Sequence, residues 1–452
     1  MPSLFLLLAP LASAQSTLLP DGVETTHFEN GLTLHVIPTP TPGVVSWQTW
    51  VDVGSKNEVM EGTTGLAHLF EHLMFYGSAD LPRQAREDEL LRLGVSENAW
   101  TWMDETVYTA VVPAASLERV VEIEADRFLN FQVSAEQLQR ESGAVYGEYR
   151  MSRASAWGMS DEQLYAAAYV HHPYHHPTIG WEADIQAMPT AIEDARDFFA
   201  MWYRPERTRI VVSGDVDPLQ VKAWVQKSWN SWEVNSETYV VPIEPVATES
   251  LRIQVDWSGG PTSPLLLAGY RMPSFDPAST ESAAWAVMEE LLTGPTAPLR
   301  TTLERETGWA LDFGGGDPGF TDPHLFVLSV ELSEADHLTQ VEAAITSELT
   351  RWATQPNAAE LKTAQEHALR AMRLRLDDPV AVSDLVGRMT RGGAPARVVE
   401  TFAANYAAVD VDAIAAVAQT MLLASSQATA VLLPPAAPTP PSTNSASTQE
   451  QP

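Results

Sequence analysis

His68, Glu71 and His72 stand in one short run, His68-Leu69-Phe70-Glu71-His72. On a helix the two histidines are one turn apart and share a face, and Glu71 reaches the same face. Two imidazoles so placed can chelate one divalent ion. A carboxylate beside them can deprotonate a water held there, in the reverse of the better-known H-E-x-x-H order. Taken alone, the run also describes a pair of surface or core histidines on an amphipathic helix. A catalytic zinc takes three protein ligands and keeps one position open. Candidates for the third ligand are Glu141 and Glu148, which a predicted helix from Ala135 puts on one face two turns apart. One could bind metal and the other orient a ligand from behind. Without the histidine pair, the same spacing reads as a solvated face. His171, His172, His175 and His176 cluster around Pro173 and read as a surface loop able to pick up metal adventitiously. His367 and Glu366 lie on a long predicted helix with no partner in view. The chain has no cysteine, so disulfides, thiolate ligands and cysteine nucleophiles are excluded together.

The elements that must position these residues come in two blocks. In the first, Asn30-Gly31 is a turn signal before a strand at Leu32–Ile37, and a second strand starts at Val44. Gly65–Tyr76 carries an apolar face at helical spacing. Thr106–Pro113 is a strand, Ala114–Phe131 and Ala135–Met151 are helices, and Arg209–Ser213 closes the block as a strand. The second block repeats that order with strands at Leu251–Trp257 and Pro264–Tyr270, a helix at Thr280–Leu292, and strands at Pro323–Leu332 and Ala428–Leu433. Laying one helix on the other puts Glu71 over Glu289, His68 over Ala286 and His72 over Glu290. A duplicated unit whose second copy lost its metal ligands has this appearance.

At 452 residues the chain exceeds a single ordinary core. We read residues 22–232 as a metal-binding domain, 233–250 as a linker and 251–433 as a homologous domain without ligands. The Pro/Ser/Thr-rich tail 434–452 cannot bury a core and is expected to be disordered. A net charge of −32 repels phosphate backbones and argues against a nucleic-acid partner; it reads either as a solubilising surface or as an acidic cavity for cationic peptides. The apolar run Leu4–Leu11 precedes Ala12-Ser13-Ala14, with no Lys or Arg before it. It has the form of a signal peptide, residues 1–14, cut after Ala14, and implies a periplasmic or secreted protein. No stretch is long and apolar enough to span a membrane as a helix.

The stretch GLAHLFEHLMFYGSADLP resembles the signature of the pitrilysin/insulinase family of zinc peptidases, near its bacterial and mitochondrial processing-peptidase branch. In that family the third ligand lies about 76 residues beyond the second histidine, the position of Glu148, and Glu141 matches the other member of a paired-glutamate helix. The likeness continues through ENAWTWMDETVYTAVVP, ESGAVYGEYRMS, HHPYHHPTIGW and YRPERTRIVVSGDVDP. It implies an α+β fold: two homologous halves, each an antiparallel sheet packed with helices, closing as a clamshell around a chamber. It further implies one zinc per chain on His68, His72 and Glu148, with Glu71 as general base and Glu141 in support. Peptide substrates would pair with the strand at Asn98 and Ala99, a use of an exposed sheet edge. By itself Asn98 reads equally as a turn or cap residue.

One stretch departs from the family pattern. Active single-chain or homodimeric members usually carry a pattern like R-E-x-x-G-L-A-Y in the second half, whose Arg and Tyr contact substrate. Aligned on Gly308, this chain has Glu304 in place of the Arg and Leu311 in place of the Tyr, with Arg300 and Arg305 out of register. The resemblance therefore implies a zinc endopeptidase that takes its Arg/Tyr pair from a homologous partner subunit. The competing readings are a non-catalytic assembly subunit that keeps the fold, and a purely structural zinc site. A His2Glu set with a base beside it argues against the last.

Overall fold

The computed structural model describes residues 17–234 and 240–433. The expected leader 1–14 and tail 434–452 lie outside the described residues, as do positions 235–239 of the expected linker.

The Asn30-Gly31 turn joins β1 (Glu24–His27) to β2 (Thr33–Pro38). With β3 (Val44–Val51), β4 (Ser96–Thr101), β5 (Thr106–Pro113) and β6 (Thr208–Gly214) they form one sheet in the order β1-β2-β6-β3-β5-β4. The second sheet contains β7 (Leu251–Gln254), β8 (Leu265–Met272), β9 (Ala310–Gly316), β10 (His324–Leu332) and β11 (Gln427–Leu432). Its order is β7-β11-β8-β10-β9. Remove β1 and the two orders correspond strand for strand. Pairing is antiparallel except for one matching parallel pair in each sheet, β2–β6 and β7–β11. Each parallel pair joins the first and last strands of its unit, which a long crossover separates. The α+β, two-half fold is therefore present with mixed rather than wholly antiparallel sheets.

α1 (Leu66–Leu73) lies across β4 and β5, and α2 (Ala135–Ser152) packs on α1. α3 (Ala156–Ala168) leaves its own half and packs on β7, β8 and β11. The second half repeats the arrangement. α4 (Thr280–Thr293) packs on β9, and α5 (Ala358–Arg375) on α4. α6 (Pro379–Met389) crosses back onto β3 and β6. The halves thus exchange one helix each. Val382 and Val386 of α6 bury among Trp50, Val107 and Val211. Leu164, Tyr165 and Ala168 of α3 bury among Leu265, Leu267 and Ala430. Burying a valine or leucine side chain completely contributes about 1.5–3 kcal/mol.

This exchange explains the sequence of β3. Its strand VVSWQTWV is buried on both faces: Trp47 faces the core of its own half and Trp50 faces α6. Buried ion pairs close the same interface. Arg391 donates to both Glu105 oxygens, at 2.8 and 2.5 Å, and Arg209 donates to Glu105 at 2.9 Å. Lys56 of the first half lies 3.1 Å from Asp104 and 2.9 Å from Asp322 of the second. Residues 240–250 carry neither helix nor strand. Glu244 pins that segment by accepting hydrogen bonds from the backbone N–H groups of Val170, His171 and His172.

Candidate metal centre

The position of α1 is set at its first turn. Gly65 enters the helix at φ 91°, a left-handed conformation natural to glycine, and an added Cβ would stand 2.5 Å from the Ile179 carbonyl oxygen. The buried Glu58 carboxylate accepts hydrogen bonds from Gly65 N–H at 2.8 Å and Ala67 N–H at 2.7 Å, capping the orphan donors there. Leu66, Ala67, Leu69, Phe70 and Leu73 turn into the core. That rotation leaves His68, Glu71 and His72 half-buried on the other face. α2 starts at Ser134, whose side chain accepts from Gln137 N–H while the Gln137 side chain accepts from Ser134 N–H. Its buried positions include Leu138, Glu141, Val145 and Tyr149, so Glu141 and Glu148 face α1 together.

The donors converge. His68 Nε2 lies 3.4 Å from Glu148 Oε2, and His72 Nε2 lies 3.6 Å from the same oxygen. One donor atom from each residue falls within 4.8 Å of the others, an arrangement able to hold a metal ion. The set suits zinc, two neutral imidazoles and one carboxylate leaving a fourth position open. Glu141 Oε2 lies 3.4 Å from His72 Nδ1 and so leaves Nε2 to point at the shared space. Burial, then the neighbouring His72, lowers the His68 pKa to about 4, which keeps its lone pair free at neutral pH. Burial raises the Glu71 pKa, while a hydrogen bond from Thr101 and the nearby His72 oppose that rise.

Three supporting residues escaped the sequence reading. The Thr101 hydroxyl, at the end of β4, donates to Glu71 Oε2 at 2.7 Å. The Tyr76 hydroxyl donates to Glu141 Oε1 at 2.7 Å. The Arg83 guanidinium sits 3.7 Å from that oxygen and 5.1 Å from the Tyr76 ring centre. Thr101 and Arg83 carried no sequence signal; Tyr76, four residues after His72, could have been flagged by helical spacing.

Other expectations were redrawn. Asn98 and Ala99 lie within β4, paired with Thr109 and Tyr108, so Asn98 is neither a turn nor a cap residue. β4 is an edge strand with one side unpaired. The histidine cluster is no surface loop: His171 is exposed, but His172 and His176 are buried. His172 Nδ1 accepts from Tyr174 N–H, and its Nε2 lies 3.4 Å from Asp322 of the other half. His176 Nδ1 lies 3.7 Å from Glu58. His367 has a partner after all, with Nδ1 2.8 Å from Glu290. Glu304 is engaged locally, 3.1 Å from Arg300 Nε and accepting from Phe313 N–H, and Leu311 is 61% exposed on β9.

A model of the insulinase family, peptidase family M16, matches residues 36–181, and a model of the peptidase M16 inactive domain matches residues 191–367. The chain belongs to peptidase family M16. The zinc protease PqqE of Helicobacter pylori is 28% identical over 257 residues, 56% of this chain and 57% of that protein. The mitochondrial-processing peptidase subunit beta of Blastocladiella emersonii is 23% identical over 400 residues, covering 84% and 83% of the two chains. A protease structure from Helicobacter pylori matches the fold with a TM-score of 0.83 at 23% identity, covering 91% of this chain and 99% of that one. The first half of the periplasmic protease PqqL from Escherichia coli matches with a TM-score of 0.73 at 18% identity, covering 92% of both chains. The whole of PqqL is about twice as long, and the match spans 48% of it. The M16 sheet-and-helix unit that in the first half carries His68, Glu71 and His72 carries Ala286, Glu289 and Glu290 in the stretch matched by the inactive-domain model. Among the described residues no single helix is long and apolar enough to cross a membrane.

Proposed function

We propose that this chain is a zinc metalloendopeptidase acting on unfolded or short peptides, with zinc on His68, His72 and Glu148. The observation that carries the reading is the approach of those three donor atoms to within 4.8 Å of one another, with the Glu71 carboxylate close to His72 and Glu148. A zinc ion bound there would polarise the scissile carbonyl and acidify the attacking water. Glu71 takes the proton from that water and returns it to the leaving amine. Thr101 holds one Glu71 oxygen, so the other is the one available for proton transfer. Glu141 orients the His72 imidazole. The free edge of β4, with Asn98 and Ala99, aligns an extended substrate by strand addition.

Glu304 and Leu311 stand where substrate-contacting Arg and Tyr are expected, and Arg300 is tied to Glu304 and the Thr293 carbonyl. The substrate clamp therefore comes from a homologous partner subunit without the metal motif. A leader cut after Ala14 and a periplasmic or secreted location complete the reading. The same Glu304 and Leu311 favour one alternative, a non-catalytic subunit that keeps the fold. Zinc content and peptide hydrolysis, measured for the chain alone and after co-expression with a homologous partner, separate the two. Hydrolysis that appears with the partner and vanishes in Glu71→Gln supports the peptidase. Hydrolysis unaffected by Glu71→Gln assigns the chain to the assembly role, and full activity of the isolated chain removes the need for the partner.

A further inference from the structure

The second half keeps the scaffold of the metal centre without its donors. Ala286, Glu289 and Glu290 of α4 align with His68, Glu71 and His72. α2 and α5 are both 18 residues long, and Ala371 holds in α5 the place that Glu148 holds in α2. All four counterparts line one cavity of about 490 Å³. Two alanines where the first half has a histidine and a glutamate leave room in place of a metal cradle.

The cavity is charged at both signs. The Glu289 carboxylate lies flat against Gly316, where an added Cβ would stand 2.3 Å from its carbon, and accepts from Asp317 N–H at 2.9 Å. Among the described residues no cation pairs with it, and the charges acting on it, Asp317 and Glu290, are themselves acidic. Glu290 shares its charge with His367 at 2.8 Å, and Asp384 accepts from Gln48 at 2.7 Å. Arg375 and Arg388 line the same space and are exposed. Arg388 also sits 5.2 Å from the ring centre of Trp100 on β4, so the cavity borders the edge strand of the first half. Met372, Leu376, Leu385 and Phe402 give it apolar walls.

We propose that this cavity binds the zwitterion of a short peptide, its ammonium group against Glu289 and Glu290 and its carboxylate against Arg375 and Arg388. The volume falls within the roughly 300–1,000 Å³ of pockets that hold small organic ligands. A sequestered carboxylate without a counter-charge is costly, and a ligand ammonium supplies that charge. A bare cation would meet the two arginines and a bare anion the glutamates; a ligand carrying both charges meets neither conflict. The site uses no residue of the metal centre, and its test reads binding rather than hydrolysis, so it stands or falls separately from the peptidase reading.

The test is calorimetric titration of the full chain with alanyl-alanine, N-acetyl-alanyl-alanine and alanyl-alanine amide. The zwitterion binds, and removing either charge weakens binding at least about tenfold, the scale of a lost charge-assisted contact. Glu289→Gln weakens the zwitterion by a similar factor and leaves the acetylated peptide unchanged. Ala371→Phe fills the space and abolishes binding, while His72→Ala, which disables the metal centre, retains it. Should Ala371→Phe fail to fold, the near-isosteric Glu289→Gln decides the question. Absence of saturable binding, equal affinity for all three peptides, or binding kept in Glu289→Gln and lost in His72→Ala overturns the proposal. The last result would move the peptide to the metal centre.

Discussion

α1 lies across β4 with α2 beside it, and α4 packs on β9 with α5 beside it, so each half presents a helix pair at its sheet edge. In both, a glutamate in the second half of the first helix is held at the end of the edge strand. Thr101 donates to Glu71, and the Asp317 backbone N–H donates to Glu289. The flanking positions differ. The first half has His68, His72 and Glu148; the second has Ala286, Glu290 and Ala371. The same helix-pair scaffold therefore occurs twice, and side-chain identity decides whether a candidate donor set or a cavity results. The electrostatics follow. Burial raises the pKa of both glutamates, but Glu71 has His72 as well as Glu148 beside it, while the charges beside Glu289 are acidic and its pKa is lifted to about 7.

The largest effects are expected at the donors themselves. His68→Ala, His72→Ala and Glu148→Ala are each expected to remove bound zinc, read by elemental analysis. Glu71→Gln should keep the metal and lose about 10²–10⁴-fold in turnover, the usual worth of a positioned base. Zinc at full occupancy in Glu148→Ala would return the third ligand to Glu141.

The converse experiment grafts the donors. Ala286→His, Glu290→His and Ala371→Glu together should raise the zinc content from one to two ions per chain. The new site should bind about 10–100-fold more weakly than the first, because Ala364 stands where Glu141 supports His72. A triple variant that folds and still holds one zinc would show that the two scaffolds differ in more than side chains.

A smaller effect separates the two glutamates by stability. The Glu289 pKa rises from 4.5 to about 7 on folding, so between those values the unfolded chain has lost a proton that the folded chain retains. Stability therefore falls as pH rises from 4.5 to 7 and levels off above, with a total cost of about 3 kcal/mol. Glu289→Gln should raise the melting temperature at pH 8 and leave it nearly unchanged at pH 4. An equal shift at both pH values would remove the electrostatic explanation.

The smallest effect tests the support behind His72. Tyr76→Phe deletes the hydroxyl on Glu141, a hydrogen bond worth about 1 kcal/mol, or roughly fivefold in zinc affinity by chelator competition. Unchanged affinity would leave the Glu141 carboxylate to Arg83 alone.

The chain's own order of residues supplied the candidate donors of the first half and the repeat of elements behind them. His68, Glu71 and His72 are close in the chain, so helical geometry alone brings them together. Glu141 and Glu148 share a face for the same reason, and the choice of Glu148 as third ligand rested on family resemblance rather than on spacing. The strands β2, β3, β5 and β6 and the helices α1 and α2 were legible in hydrophobic periods, whereas the short or glycine-rich strands β1 and β9 and the helices Arg83–Leu93, Ala156–Ala168, Ile192–Trp202 and Pro218–Trp229 were not, and β4 was expected only from the family resemblance. What periodicity could not show was which half a helix would cover. An apolar stripe records that a helix is buried and not its partner, so the exchange of α3 and α6 was decided by the tertiary fold. The same limit hid Thr101 and Arg83, whose roles depend on approach across chain separations with no fixed spacing. It also hid the burial of His172 and His176, the first beside Asp322 of the second half and the other beside Glu58 of its own half. Side-chain identity at short range is written in the chain; burial against a distant segment is settled when the two sheets and their exchanged helices pack.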